Sequence, residues 1–215
     1  MTERSTSTTR STRRRLLAVG ATALVAAIAL TGCSSGGSDA LSKQYGSGTT
    51  QNYISGDGAV TEVAQDKRTD TVDFDAKTMD GDDVTAKSLR GRVVVLNFWY
   101  ASCPPCRAEA KYLNEVHAKY TDDQVQFIGV NVRDQKATAE AFERTFKVDY
   151  PTVLDADSGT MQLALSGQIA PNAVPATIVL DKQGRVAARV LGAVDSTSIL
   201  DTLVSDELTG SGKAS

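Results

Sequence analysis

The chain has 215 residues, 41% hydrophobic and 23% charged, enough for one domain with a proper core plus extensions but short of two. A formal net charge of −3 at pH 7 excludes nucleic-acid binding by bulk electrostatics. The charge is uneven: residues 1–32 carry five arginines against Glu3, a balance of +4, which leaves an acidic body at −7 with no basic patch.

The N-terminus reads as an export signal. A polar start ends in Arg13-Arg14-Arg15, and an apolar run from Leu16 to Leu30 follows, broken by Gly20 and Thr22. As a helix that run spans roughly 22 Å, short of the ~30 Å hydrocarbon core, so it is a signal peptide and not a permanent membrane span. Leu30-Thr31-Gly32-Cys33 closes the segment and resembles the lipobox of bacterial lipoproteins. The resemblance implies removal of residues 1–32 and acylation of Cys33 as the mature N-terminus, which would hold the protein at the outer face of the bacterial cell membrane. A plain signal peptide with an incidental cysteine is the alternative reading. Thr12-Arg13-Arg14-Arg15-Leu16-Leu17 is similar to a twin-arginine signal, and general export is equally compatible with it.

Residues 33–69 form a tether. Up to about Thr50 it is Ser, Gly, Thr and Asp, a random coil of about 20–25 Å root-mean-square span. Asn52 to Ile54 and Ala59 to Val63, around Ser55-Gly56-Asp57-Gly58, have the pattern of a small hairpin. The domain proper covers residues 70–208, with 209–215 a disordered tail. Thr71 to Asp75 and Asp82 to Thr85, with a turn at Asp80-Gly81, predict a second hairpin. Val93 to Trp99 is nearly continuous apolar sequence, as in a central strand buried on both faces. A helix follows from the cysteine motif to about Tyr120. Next come a strand at Val125 to Val132, a helix at Ala137 to Phe146, a short strand at Thr152 to Leu154 and a short helix at Thr160 to Leu165. Thr177 to Leu180 and Val186 to Leu191 flank the turn Asp181-Lys182-Gln183-Gly184. A last helix runs from Ser196 to Leu208 with Ile199, Leu200, Leu203 and Val204 facing in. Strands alternating with helices, closed by a hairpin and a helix, predict a three-layer α/β/α sandwich.

Setting Cys33 aside for the lipid leaves Cys103 and Cys106, spaced C-x-x-C. A single such pair in an exported chain is a working redox couple, not a stapled scaffold. Cys103 follows a buried strand and opens a helix, whose N-terminus favours thiolate, the species that attacks disulfides. Cys106, one turn inside, is placed to resolve the mixed disulfide. A structural zinc site needs about four ligands, and beyond the pair only His117 is on offer, so no metal or other cofactor is expected. Pro104 and Pro105 lack N–H groups, so the thiolate loses donors and the couple should be fairly reducing. The stripe Tyr112, Leu113, Val116 and Tyr120, extended backward, lands on Glu109, one turn past Cys106. A core-facing carboxylate there would have a raised pKa and could shuttle thiol protons, whereas at the stripe's edge it would reach solvent. His117, also near the edge, reads as structural. Val174-Pro175 precedes a strand. A cis bond there would keep the chain's own backbone from closing the site and leave Val174 free to pair with an extended substrate.

Val93 to Glu109, Val-Val-Val-Leu-Asn-Phe-Trp-Tyr-Ala-Ser-Cys-Pro-Pro-Cys-Arg-Ala-Glu, resembles the active-site segment of the TlpA/ResA group of membrane-tethered, thioredoxin-like thiol–disulfide oxidoreductases. Val174-Pro175-Ala176-Thr177-Ile178-Val179-Leu180-Asp181 with Gly184 matches the group's cis-proline strand and hairpin. Val125 to Thr152 resembles the helix and strand these proteins insert into the thioredoxin plan, after an N-terminal hairpin extension. The resemblance implies Cys103 as nucleophile, Cys106 as resolving thiol, Glu109 as buried acid/base and Pro175 as cis. Trp99, Pro104, Val174 and Pro175 would then meet the substrate. The implied partners are exported protein disulfides such as apocytochrome c, reduced with electrons from a membrane thiol carrier, though an oxidase is also compatible. A peroxiredoxin would place Pro and Thr seven and three residues before its reactive cysteine, where this chain has Leu96 and Tyr100. A copper-binding assembly protein of this fold would need C-x-x-x-C and a late histidine, and nothing after His117 qualifies.

Overall fold

The computed structural model describes residues 59–120, 124–169 and 173–210. In chain order the elements are β1 (Ala59–Glu62), β2 (Asp75–Lys77), β3 (Asp83–Thr85), β4 (Val93–Trp99), α1 (Pro104–Lys119), β5 (Val125–Asn131), α2 (Lys136–Phe146), β6 (Thr152–Leu154), α3 (Thr160–Ala164), β7 (Ala176–Leu180), β8 (Val186–Leu191) and α4 (Thr197–Thr209).

Every residue of β4 is buried, because both of its edges are paired and both of its faces are covered. It runs parallel to β5 and antiparallel to β7, at the heart of a sheet ordered β1-β8-β7-β4-β5-β6. Its side chains alternate between two cores. Val94, Leu96 and Phe98 pack with Val72, Phe74, Met161 and Leu165. Val93 and Val95 pack instead with Leu113 and Val116 of α1 and Leu200, Leu203 and Val204 of α4. The outcome is the expected three-layer sandwich, with one outer layer of long helices. The other outer layer is built from α3 and the extended segment leading into β2.

Two elements differ from the sequence reading. Ala59–Glu62 does not form a local hairpin limb but pairs antiparallel with β8, Ala59 opposite Leu191; its proposed partner at 52–54 lies outside the described residues. The second hairpin forms later than expected, with Asp75 opposite Thr85 and Lys77 opposite Asp83. Its turn is set by the Thr78 N–H donating to the Asp82 carbonyl and by Gly81 at φ +95°, which only a Cβ-free residue adopts readily. Residues 71–74 are extended but find other partners: the Val72 N–H donates to Gly184 and its carbonyl accepts from Arg90. The export segment, Cys33, the tether to residue 58 and residues 211–215 lie outside the described residues. Among the described residues no helix is long and apolar enough to cross a membrane.

Candidate active site

The site is built where β4 ends and α1 begins. Cys103 is the N-cap of α1, in extended conformation, with Pro104 and Pro105 at the first two helical positions. Proline is tolerated there because those N–H groups would have no helical partner anyway. The first helical N–H left is that of Cys106, and it donates to Cys103 Sγ at 3.3 Å. The two cysteines are joined in a disulfide across a Cα–Cα distance of 5.3 Å. Both are buried, in a cluster with Trp99, Tyr100, Ala110, Ala139, Phe142 and Val174. A sulfur at a helix N-terminus, carrying one helix N–H, is favoured as thiolate when the bond is reduced.

Glu109 is 0% exposed. Its Oε1 accepts from Asn97 Nδ2 and its Oε2 from the Val194 N–H, each at 2.9 Å. Burial raises its carboxyl from 4.5 to about 8, with those two hydrogen bonds holding it partly back. The group can therefore hold or release a proton near neutral pH, one turn from Cys106. Burial also raises the phenol of Tyr150, and the Glu109 charge adds to that shift.

Sequence reasoning did not find the group that positions Glu109. Asn97 is the lone polar residue in the buried β4 run, and its amide also donates to Thr177 Oγ1 on β7 at 3.2 Å. A buried amide inside an apolar strand was the available signal, since such a group must find partners. Val194 contributes only its backbone, which no side-chain pattern marks.

The remaining expected residues are placed as follows. Val174 joins the cysteine cluster, and the Val174–Pro175 peptide is cis. Pro104 is exposed. Trp99 is not on the face of the site: it is 3% exposed, with its ring on Phe142 at 4.2 Å between centroids. Its large ring is fixed beneath the cysteines by that packing and offers little surface to a substrate. His117 is a packing residue, with Nδ1 at 3.0 Å from Asp149 and its ring edge-on to Phe127 and Tyr150.

Residues 68–189 match the AhpC/TSA family. The thiol–disulfide oxidoreductase ResA of Geobacillus thermodenitrificans is 30% identical over 133 residues, covering 62% of this chain and 74% of that protein. A DsbF homologue from Corynebacterium diphtheriae is 30% identical with a TM-score of 0.61, over 72% of this chain and 98% of that one. A secreted thiol–disulfide isomerase from Corynebacterium glutamicum is also 30% identical, with a TM-score of 0.62 over 71% and 95%.

Proposed function

The chain belongs to the AhpC/TSA family, among thiol–disulfide oxidoreductases of the ResA and DsbF type with a thioredoxin-like fold, and from that premise we propose that it is a lipid-anchored reductase of disulfides in exported proteins, apocytochrome c among them. The observation that carries the reading is the pairing of an N-terminal helix disulfide with a buried carboxyl poised near neutral pH on the same helix.

In the reduced enzyme the Cys103 thiolate attacks one sulfur of the substrate disulfide. A Cys103–substrate bond forms, and the other substrate sulfur leaves as thiolate and takes a proton. Cys106, deprotonated with Glu109 as acceptor, then attacks Cys103 Sγ. The second substrate thiol is released, and the enzyme is left with the Cys103–Cys106 disulfide. A membrane thiol carrier supplies the two electrons that reopen it. Pro104, exposed at the helix start, offers the surface against which an extended substrate lies, and Val174, buried in the cysteine cluster ahead of its cis peptide to Pro175, offers its backbone alone. Export through the N-terminal signal and acylation of Cys33 would hold this chemistry at the outer face of the membrane.

Trapping tests the assignment. Cys106→Ala should accumulate mixed disulfides, because attack by Cys103 proceeds and resolution cannot. Mass spectrometry of the adducts identifies the substrate class. Adducts with Cys103→Ala and none with Cys106→Ala would reverse the two roles, and adducts with neither would end the proposal.

A further inference from the structure

The loop that carries Cys103 is held from outside α1. After β5, Asn131 is fully buried, and its Oδ1 accepts from the N–H groups of Arg133 at 3.1 Å and Asp134 at 2.7 Å. This ties the turn back on itself, and Asn131 Nδ2 donates to Asp134 Oδ2 at 2.9 Å. The same Asp134 oxygen accepts the Ala101 N–H at 2.6 Å, two residues before Cys103. Two more contacts join the loops: the Val132 N–H donates to the Trp99 carbonyl at 3.1 Å, and the Arg133 guanidinium lies 3.9 Å over the Tyr100 ring. The Tyr100 carbonyl in turn accepts the Cys103 N–H at 3.2 Å. A carboxylate accepting a backbone N–H is a charge-assisted bond, stronger than a neutral one. It also sets a negative charge against the N–H two residues ahead of the sulfur that must ionise.

We propose that Asp134 is a positioning residue for disulfide exchange: aimed by Asn131, its carboxylate fixes the Tyr100–Cys103 loop through the Ala101 N–H and biases the couple toward its disulfide, making the enzyme a better reductant. The bias follows from charge. The reduced form holds a thiolate that the carboxylate repels, and the disulfide is neutral, so the carboxylate disfavours the reduced state alone. Other charged groups on the elements packed there are Arg133 over Tyr100, Arg107 over Phe146, Lys136, which donates to the Met79 carbonyl, and Glu109 on α1. The proposal rests on Cys103 being the attacking thiol.

The test compares Asp134→Asn and Asp134→Ala in the full-length chain. Asparagine retains an acceptor for Ala101 and removes the charge, while alanine removes both. Cys103 pKa is read from the pH dependence of iodoacetamide alkylation with peptide mapping, which separates Cys103 from Cys33 and Cys106. The potential is read by equilibration with dithiothreitol. Asp134→Asn should lower the Cys103 pKa by roughly half a unit and make the couple about threefold more oxidising, about 15 mV, with the rate per thiolate retained. Asp134→Ala should add a severalfold loss of rate per thiolate. An unchanged pKa and potential in Asp134→Asn overturn the proposal. So does equal destabilisation of both redox states without a shift in potential, which is what a purely structural turn would give. If Cys106 alkylates first in the unsubstituted protein, the nucleophile assignment fails, and the Asp134 proposal is still decided by the potential.

Discussion

Replacing Glu109 by Gln should flatten the pH dependence of stability. The folded carboxyl titrates at about 8 and its reference value is 4.5. Below pH 4.5 the group is protonated in both states and contributes nothing to the difference. As pH rises from there, the unfolded chain releases the proton and the folded chain retains it, so stability falls until pH passes 8. At about 1.4 kcal/mol per unit, the loss between pH 5 and pH 8 comes to roughly 3 to 4 kcal/mol. Gln at this position does not titrate, so the slope due to this group vanishes. Its amide would meet the Asn97 donor head-on, but turning the Asn97 amide presents Oδ1 to it, and the Thr177 hydroxyl can reverse its hydrogen bond to match. Guanidinium unfolding of the oxidised protein at pH 5 and pH 8, followed through the fluorescence of Trp99, the chain's single tryptophan, measures the difference. In the reduced variant the thiol titrations should also lose a coupled partner, and substrate reduction should slow. Identical pH slopes in the two proteins would refute the claim that Glu109 is held protonated by burial.

At the sheet end opposite the cysteines, the Arg68 side chain is 2% exposed and binds Asp181 and Glu207 at 2.9 and 2.6 Å. Arg68→Ala leaves Glu207 without its cation and Asp181 with Arg185 alone, and should cost about 3 kcal/mol, read by thermal or denaturant unfolding. Burial alone would raise the Asp181 carboxyl, but the Arg185 N–H and the Arg68 and Arg185 side chains together lower it. The stability it contributes is therefore present above the ordinary Asp range and lost as pH falls toward its folded value, a loss that Asp181→Asn should remove. Gly129→Ala should destabilise by about 1–3 kcal/mol in the same assays, because a Cβ there would sit 2.3 Å from Thr152 Oγ1 and 3.0 Å from Trp99 Nε1.

The cysteine helix, its preceding strand and the closing hairpin were legible because each carries a strong local signal: an apolar run, a proline-bearing helix start, a glycine turn. Glu109 was legible only as a position on a stripe. Its partners come from β4 and from the backbone after β8, 12 and 85 residues away in sequence, and no periodicity reports such pairings. The shift of the second hairpin has the same origin. Val72 and Phe74 alternate inward like strand residues, but the hydrogen-bond partner of Val72 lies at Gly184, so the pattern marked burial and not pairing. Asn131 and Asp134 read as loop polarity, and only the fold shows that loop reaching Ala101.

The direction of electron flow follows from the balance of groups around Cys103. The helix N-terminus favours the thiolate, typically by about 0.3–1 kcal/mol at an exposed site. Pro104 and Pro105 leave the Cys106 N–H as the first helical donor to the sulfur; each first-turn N–H that is missing forgoes a hydrogen bond to a charged group, worth about 1.5–3 kcal/mol. The Asp134 carboxylate and, above its pKa of about 8, the Glu109 carboxylate oppose the thiolate further. With one helical donor where a proline-free first turn would offer more, and with the carboxylates opposing, the reduced state is stabilised less than at an ordinary helix N-terminus, and the couple should give up electrons readily. Its potential should fall toward the ~−270 mV of thioredoxin and away from the ~−120 mV of DsbA. Equilibration of the full-length chain with dithiothreitol measures it directly. A value at the DsbA end would mean that the helix outweighs the missing donors and that the enzyme inserts disulfides instead of removing them.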